Sequence, residues 1–127
     1  MTLEGTQLIA GELRAAGTDA MHIVSPVDGQ TLSGSFAHAT DEEVDEAAEA
    51  ARAAWKEYRQ IEPGRRAAFL RSIADEIEAL GDELIERCHR ETGLGAGRLQ
   101  GERARTCNQL RLFADLVDEG SWVDARI

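Results

Sequence analysis

A chain of 127 residues is long enough for about one small domain. Its formal net charge of −10 argues against nucleic-acid partners and against docking on anionic membranes, because such a surface repels phosphate groups. No stretch approaches the ~20 apolar residues of a membrane span, and Met1-Thr-Leu-Glu-Gly has no signal-peptide character. With only two cysteines, the composition predicts a cytoplasmic protein. Lys56 is the only lysine, which we interpret as genomic or environmental bias, with a salt-adapted source left open.

The first 39 residues predict strands and turns, beginning with a short hairpin. Leu8-Ile-Ala is an apolar run that stops at Gly11, and residues 13–15 are expected to pair back on it. Short hairpins are not stable alone in water, so we expect this region to pack against another part of the fold.

A second hairpin is predicted from residues 21–24 and 31–36, joined by the turn Ser25-Pro-Val-Asp-Gly. Pro26 sets the φ angle of the first corner of this turn. Gly29 can adopt the left-handed conformation that closes it.

Residues 40–119 have the periodicity of helices, and the first helix begins with a capping box. Thr40 is the predicted N-cap, and the carboxylate of Glu43 can reach back to its amide. The three acidic residues 41–43 also suit the positive end of the helix dipole. One stripe at helical spacing is then predicted to be buried, and it comprises Val44, Ala47, Ala48, Ala51, Trp55 and Tyr58.

Two further helices are predicted between Pro63 and Gly93. The second helix begins at Pro63 and ends at Gly81, and the third runs from about Asp82 to Thr92 and ends at Gly93. The residues expected to be buried are Ala67, Leu70, Ile73, Ala74, Ile77 and Leu80 in the second helix, and Leu84, Ile85 and Cys88 in the third.

The fourth helix is predicted from near Gly97 to about Glu119, and it has two adjacent semi-apolar faces. Two such faces predict that other parts of the fold pack against two sides of this helix. Because a buried arginine is costly unless it is paired, Arg103 is expected to find a carboxylate or carbonyl partner. The first face comprises Leu99, Arg103, Thr106, Cys107, Leu110, Phe113, Ala114 and Val117, and the second comprises Arg98, Glu102, Arg105, Leu112 and Leu116.

The glycine cluster Gly93-Leu-Gly-Ala-Gly is the one candidate for a phosphate-binding loop. Dinucleotide binding needs G-x-G-x-x-G between a strand and a helix. The glycines at 93, 95, 97 and 101 do not complete that spacing, and the loop follows a predicted helix. We therefore interpret it as a turn between two helices.

The cysteines and histidines do not form a recognisable catalytic or metal-binding pattern. Cys88 and His89 are adjacent on a helix and point about 100° apart, so His89 is poorly placed to serve Cys88 as a base. Cys88 and Cys107 are expected to be reduced, buried thiols. His22, His38 and His89 lack the spacing of a metal site.

The segment Arg98-Leu-Gln-Gly-Glu-Arg-Ala-Arg-Thr allows an anion site or a structural ion-pair network. Arg98, Glu102 and Arg105 are spaced for a ladder along one helix face. We favour the structural network, since arginine networks far outnumber anion sites.

Several segments, taken together, resemble the N-terminal portion of the aldehyde dehydrogenase superfamily, in the family's order. They are Leu8-Ile-Ala-Gly, Ser25-Pro-Val-Asp-Gly, Thr40-Asp-Glu-Glu-Val-Asp-Glu-Ala-Ala-Glu-Ala-Ala-Arg-Ala-Ala-Trp, and Arg65-Arg-Ala-Ala-Phe-Leu-Arg-Ser-Ile-Ala-Asp with Glu91-Thr-Gly. The Arg98–Thr106 segment with Gln109-Leu-Arg-Leu-Phe-Ala resembles the alpha-ketoglutarate semialdehyde (2,5-dioxovalerate) dehydrogenase branch.

The resemblance implies an α/β enzyme with a Rossmann-type cofactor domain that oxidises a small aldehyde with NADP or NAD. It also implies a homo-oligomer. In the family, the catalytic cysteine, the glutamate base and the cofactor domain come after the matched region. Neither Cys88 nor Cys107 lies in the catalytic motif. No catalytic, cofactor-binding or metal-binding residue is therefore carried over to this chain.

Our leading hypothesis is that residues 1–127 are an N-terminal segment of such a semialdehyde dehydrogenase, inactive alone, with hairpins at 1–39 and about four helices at 40–119. No complete second domain is expected. The alternative is a non-catalytic helical scaffold or interaction module derived from that family, whose apolar faces bind a partner chain.

Overall fold

A computed structural model describes residues 3–123, and it contains two hairpins followed by four α-helices, as predicted. Each element is numbered in chain order. The strands are β1 (Gln7–Ile9), β2 (Glu12–Arg14), β3 (Ala20–Met21) and β4 (Phe36–Ala37); the helices are α1 (Asp41–Tyr58), α2 (Pro63–Ala79), α3 (Gly81–Thr92) and α4 (Ala96–Glu119), and a 3-10 turn follows at Ser121–Val123.

The described residues form two compact units. The first comprises residues 3–60 with 90–93, and the second comprises residues 61–89 with 94–123. No helix within residues 3–123 is long and apolar enough to cross a membrane.

The first hairpin pairs β1 with β2 in antiparallel register, with Leu8 opposite Leu13. Ala10 and Gly11 form its two-residue loop, and both have positive φ, at 52° and 85°. Two positive φ angles give a loop whose twist matches that of the strands, which explains why so short a connection suffices.

The second hairpin is less regular than its sequence predicts. β3 pairs with β4, and Val24 forms a single bridge with Thr31, so the expected continuous strands are wrong. Gly34, with φ at 109°, interrupts the extended run of the return segment. The turn lies where it is predicted and Gly29 is left-handed, with φ at 73°. Its amide donates to the Ser25 carbonyl, four residues back, at 2.8 Å, so this bond closes a wider turn than the three-residue bond of a β-turn.

Helix α1 begins as predicted but does not bury the predicted stripe. Both hydrogen bonds of the capping box between Thr40 and Glu43 are present. Val44 and Trp55, however, are 57% and 58% exposed, and Tyr58 is also exposed. The hairpins of the first unit are small. The first hairpin approaches α1 along its alanine side, where Leu8, Ile9 and Ala10 line a depression together with Ala47, Ala50, Ala51 and Ala54.

The second unit is built on the contact between α2 and α4. Ala67 and Ala74 of α2 and Cys107 and Ala114 of α4 are completely buried, so the two helices meet through small side chains. Pro63 occupies the first turn of α2, and glycines with positive φ end α3 and α4, at Gly93 and Gly120.

The predicted buried faces of the second unit are correct only in part. Ile85 and Leu99 are buried, but Leu80, Thr106 and Phe113 are exposed. The second face of α4 is also exposed, and its Leu112 is 60% accessible to solvent. Helix α2 covers one side of α4, so within this unit the second face lies open.

Candidate functional site

The glycine cluster forms a turn between helices α3 and α4. Helix α3 ends at Thr92, and Gly95 is the N-cap of α4. The ring Nδ1 of His89 lies 2.8 Å from the Leu94 carbonyl oxygen and ties the start of the turn to α3. The turn interpretation is therefore confirmed. A helix in place of the required strand does not provide the cradle for a dinucleotide pyrophosphate.

The two cysteines lie in different surroundings within the second unit, and neither forms a disulfide. Cys107 is completely buried, and its Sγ lies 3.5 Å from the Ala74 carbonyl oxygen. Cys88 is only half-buried, so the prediction of two buried thiols is correct for Cys107 alone. Cys88 lines an apolar cavity of about 350 Å³, whose other residues are Ile77, Leu80, Leu84, Ile85, Leu99, Glu102, Arg103 and Thr106.

The histidines are not part of a metal site in the described chain. His22 and His38 are exposed, and His89 makes the turn contact described above. Within residues 3–123, no group of three or more histidine, cysteine, aspartate or glutamate side chains is arranged to hold a metal ion.

The arginine segment of α4 forms a structural network, which was the favoured interpretation. The Arg103 guanidinium donates to the Gly81 carbonyl at 2.7 Å, so the predicted carbonyl partner is present. Arg105 donates to Glu102 at 2.8 and 3.0 Å. This bond, followed by the positive charges of Arg105 and Arg98, lowers the pKa of Glu102. Glu102 and Arg105 of the predicted ladder therefore form a direct ion pair.

The outer side of α4 carries a shallow depression with several polar side chains. Its volume is about 440 Å³, and it is lined by Gly101, Ala104, Arg105, Asn108, Gln109 and Leu112. Amide and guanidinium groups can hydrogen-bond a small polar molecule, but these six residues include no nucleophile and no general base. The depression alone therefore supports binding and not a reaction.

Two pairs of ionic contacts hold α2 and α4 together at the surface. Arg71 contacts Asp115 at 2.7 Å and Asp118 at 2.8 Å. Arg111 of α4 donates to Asp75 and to both oxygens of Glu78 in α2, each at 2.8 Å. The bonds from Arg111 also lower the pKa of Glu78. These two arginines bridge the helices at the surface, and their guanidinium groups are occupied by carboxylates.

Sequence reasoning missed one buried carboxylate contact. Glu43 is only 4% exposed, and besides capping α1 it accepts a hydrogen bond from the Ala16 amide at 2.9 Å. The two residues are 27 positions apart. The short-range capping pattern signals the bond to Thr40, but no local pattern signals the bond to Ala16.

The chain matches the family model described as "Aldehyde dehydrogenase family" over residues 13–124. It is 47% identical over its whole length to "Alpha-ketoglutaric semialdehyde dehydrogenase 2" of Azospirillum brasilense. It is 43% identical, over 97% of its length, to "Alpha-ketoglutaric semialdehyde dehydrogenase" of Acinetobacter baylyi. The chain spans about a quarter of the length of these curated relatives, at 24% and 23%.

Solved structures with the same fold include two enzymes that use different nicotinamide cofactors. One is a NAD-dependent benzaldehyde dehydrogenase from Corynebacterium glutamicum, with a TM-score of 0.83 and 22% identity, where 90% of this chain aligns with 25% of that one. The other is a NADP-dependent glyceraldehyde-3-phosphate dehydrogenase from Bacillus halodurans, with a TM-score of 0.83 and 26% identity, where 90% of this chain aligns with 24% of that one. Because the family model covers residues 13–124 and two relatives are 47% and 43% identical over almost the whole chain, the chain belongs to the aldehyde dehydrogenase family.

Proposed function

We propose that this chain is the N-terminal segment of an NAD(P)-dependent aldehyde dehydrogenase that oxidises a small semialdehyde to its acid. The proposed reaction is the oxidation of 2,5-dioxovalerate to 2-oxoglutarate. The observation that carries the proposal is the 47% identity, over the whole chain, to the semialdehyde dehydrogenase of Azospirillum brasilense. The 43% identity to the alpha-ketoglutaric semialdehyde dehydrogenase of Acinetobacter baylyi supports the choice of substrate.

We propose that the segment contributes scaffold to the enzyme, as part of a single aldehyde dehydrogenase domain. Large apolar side chains are exposed along α1 and along the outer side of α4, among them Trp55, Leu112 and Leu116. Large apolar side chains exposed on a helix face are typical of a contact with other protein. The remainder of the enzyme is the proposed neighbour of both faces.

The cofactor of the whole enzyme is proposed to be NADP or NAD. The glycine turn at residues 93–97 does not fit the pyrophosphate of either cofactor, because it follows a helix and lacks the dinucleotide spacing. We therefore assign no cofactor-binding, catalytic or metal-binding residue to this chain and derive no reaction step from it.

A chimeric enzyme tests the proposed substrate. The matched quarter of the Azospirillum brasilense enzyme is replaced by this chain, and NADPH or NADH formation is followed with 2,5-dioxovalerate, succinate semialdehyde and benzaldehyde. We expect kcat/KM for 2,5-dioxovalerate to stay within about tenfold of the parent, since the proposed segment supplies scaffold. The parent enzyme is the positive control, and the parent without the segment is the negative control.

A folded chimera that strongly prefers benzaldehyde would contradict the assigned substrate class. A chimera with the parent's circular dichroism and oligomeric state but no activity would contradict the proposal that this chain serves as scaffold in such an enzyme. Sedimentation of the same chimera also tests the proposal that the whole enzyme is a homo-oligomer.

A further inference from the structure

The negative charge of this protein is concentrated on helix α1. That helix carries seven carboxylates and two cations, an excess of five, which is half of the chain's net charge of −10. Helices α2 and α4, in contrast, each contain equal numbers of acidic and basic residues. Acidic and basic charges therefore cancel on α2 and on α4, whereas α1 carries a large excess of negative charge.

The carboxylates of α1 are spaced so that they repel one another along the helix. Asp41, Asp45 and Glu49 follow one another at intervals of four residues, and Glu42 and Glu46 form a second row with the same interval. Residues four apart on a helix are neighbours, with Cβ atoms about 5–6 Å apart, and like charges at this spacing weaken the helix.

Only part of this repulsion is relieved by basic residues. Glu46 pairs with Arg14 at 3.4 Å, and Glu49 accepts a hydrogen bond from Arg52 at 2.8 Å. Asp41, Glu42 and Asp45 form no ion pair with any residue between 3 and 123. The helix dipole favours Asp41 and Glu42 in the first turn, but it offers little to Asp45 beyond that turn.

Burial of α1 within the first unit does little to offset the repulsion. Its larger apolar residues Val44, Trp55 and Tyr58 are exposed, and Glu43 is its only buried residue. Most helices in proteins depend on burial of an apolar face for their stability. A helix with little burial and a surplus of like charge responds strongly to electrostatic screening.

We propose that α1 is an ionic-strength-sensitive element, which is loosened at low salt by repulsion among its carboxylates and restored when monovalent cations screen them. The Debye length falls from about 30 Å at 0.01 M salt to about 3 Å at 1 M, so screening becomes effective over the spacing of these carboxylates.

Amide hydrogen exchange of the full 127-residue chain tests this proposal residue by residue. We expect the amides in the middle of α1 to exchange about threefold more slowly at about 1 M KCl than at about 0.01 M. The amides of α4 next to the α2 contact serve as internal controls, and their rates should change little. Equal slowing in both helices would indicate a general salting-out effect and overturn the proposal, as would no slowing in α1.

Two variants with the same net charge separate local repulsion from overall charge. Asp45→Gln removes one negative charge from the α1 row, and Gln100→Lys adds one positive charge to an exposed position on α4. Asp45→Gln should reduce the salt dependence of α1 by at least half, whereas Gln100→Lys should leave it unchanged. Equal reduction by both variants would overturn the assignment to α1. If the parent chain is unfolded at low salt, the same comparison uses the KCl concentration at which helical circular dichroism appears.

Discussion

At the scale of single residues, Glu43 links two parts of the first unit. One carboxylate oxygen accepts from the Ala16 amide and the other from the Thr40 amide, each at 2.9 Å. The loop after β2 is thereby attached to the start of α1. Hydrogen bonds to a charged acceptor are stronger than neutral ones, so this contact outweighs an ordinary helix cap.

The first prediction concerns Glu43→Gln. Glutamine keeps one acceptor oxygen but places an amide NH2 against one of the two backbone donors, so one bond is lost. We expect the Ala16 amide, or that of Thr40, to exchange with solvent about tenfold faster. Glu42→Gln, which changes an exposed neighbour, is the matched control. Unchanged exchange at both amides would show that the contact does not hold the loop.

The same residue predicts a pH dependence. Hydrogen bonds from the Ala16 amide, and then the Thr40 amide, lower the pKa of Glu43. A lowered pKa means that the folded chain favours the carboxylate. Its stabilising effect is therefore complete above the ordinary glutamate value, roughly pH 4, and is lost as the pH falls through the lowered value. An NMR titration of the side-chain carboxyl should give a midpoint below the ordinary glutamate value, and a midpoint at or above that value would contradict the contact.

At the scale of helices, α2 and α4 approach closely because small residues face each other. Ala114 is completely buried in this contact, as are Ala67 and Ala74. The ion pairs of Arg71 and Arg111 lie beside this contact at the surface. The alanine contact sets the distance between the helices, and the exposed ion pairs contribute little stability on their own.

The prediction at this scale is that Ala114→Leu destabilises the second unit. Three extra carbon atoms have no space between the helices, and overpacking of this kind costs about 1–3 kcal/mol. Ala104→Leu adds the same atoms at an exposed position of the same helix and serves as the control. Urea unfolding followed by circular dichroism measures both. An equal free energy of unfolding for Ala114→Leu and the parent would show that α2 and α4 are not closely packed at this position.

The starts and ends of helices could be predicted because they depend on local chemistry. The capping box at Thr40, the proline at position 63 and the glycines that follow α3 and α4 each act within a few residues. The extent of burial could not be predicted, because periodicity identifies an apolar face without identifying its neighbour. Trp55 and Leu112 have the correct spacing for burial, yet both are exposed.

In the candidate site, too, features with a local sequence signal could be predicted, and contacts between distant parts of the chain could not. Spacing predicted that the glycines at 93–97 form a turn and that Arg103 has a carboxylate or carbonyl partner, which is the Gly81 carbonyl. The contact between Glu43 and Ala16 joins residues 27 positions apart, so it depends on how the chain folds back and has no local signal.

At the scale of the whole molecule, the central claim is that this chain supplies scaffold to an aldehyde dehydrogenase and does not carry the chemistry. The most direct test is the initial rate of NADPH or NADH formation with 2,5-dioxovalerate. It is measured for the pure 127-residue chain, for the separately expressed complementary part of the Azospirillum brasilense enzyme, and for their mixture. We expect background rates from each part and a rate well above background from the mixture. A rate above background from the 127-residue chain alone would contradict the account.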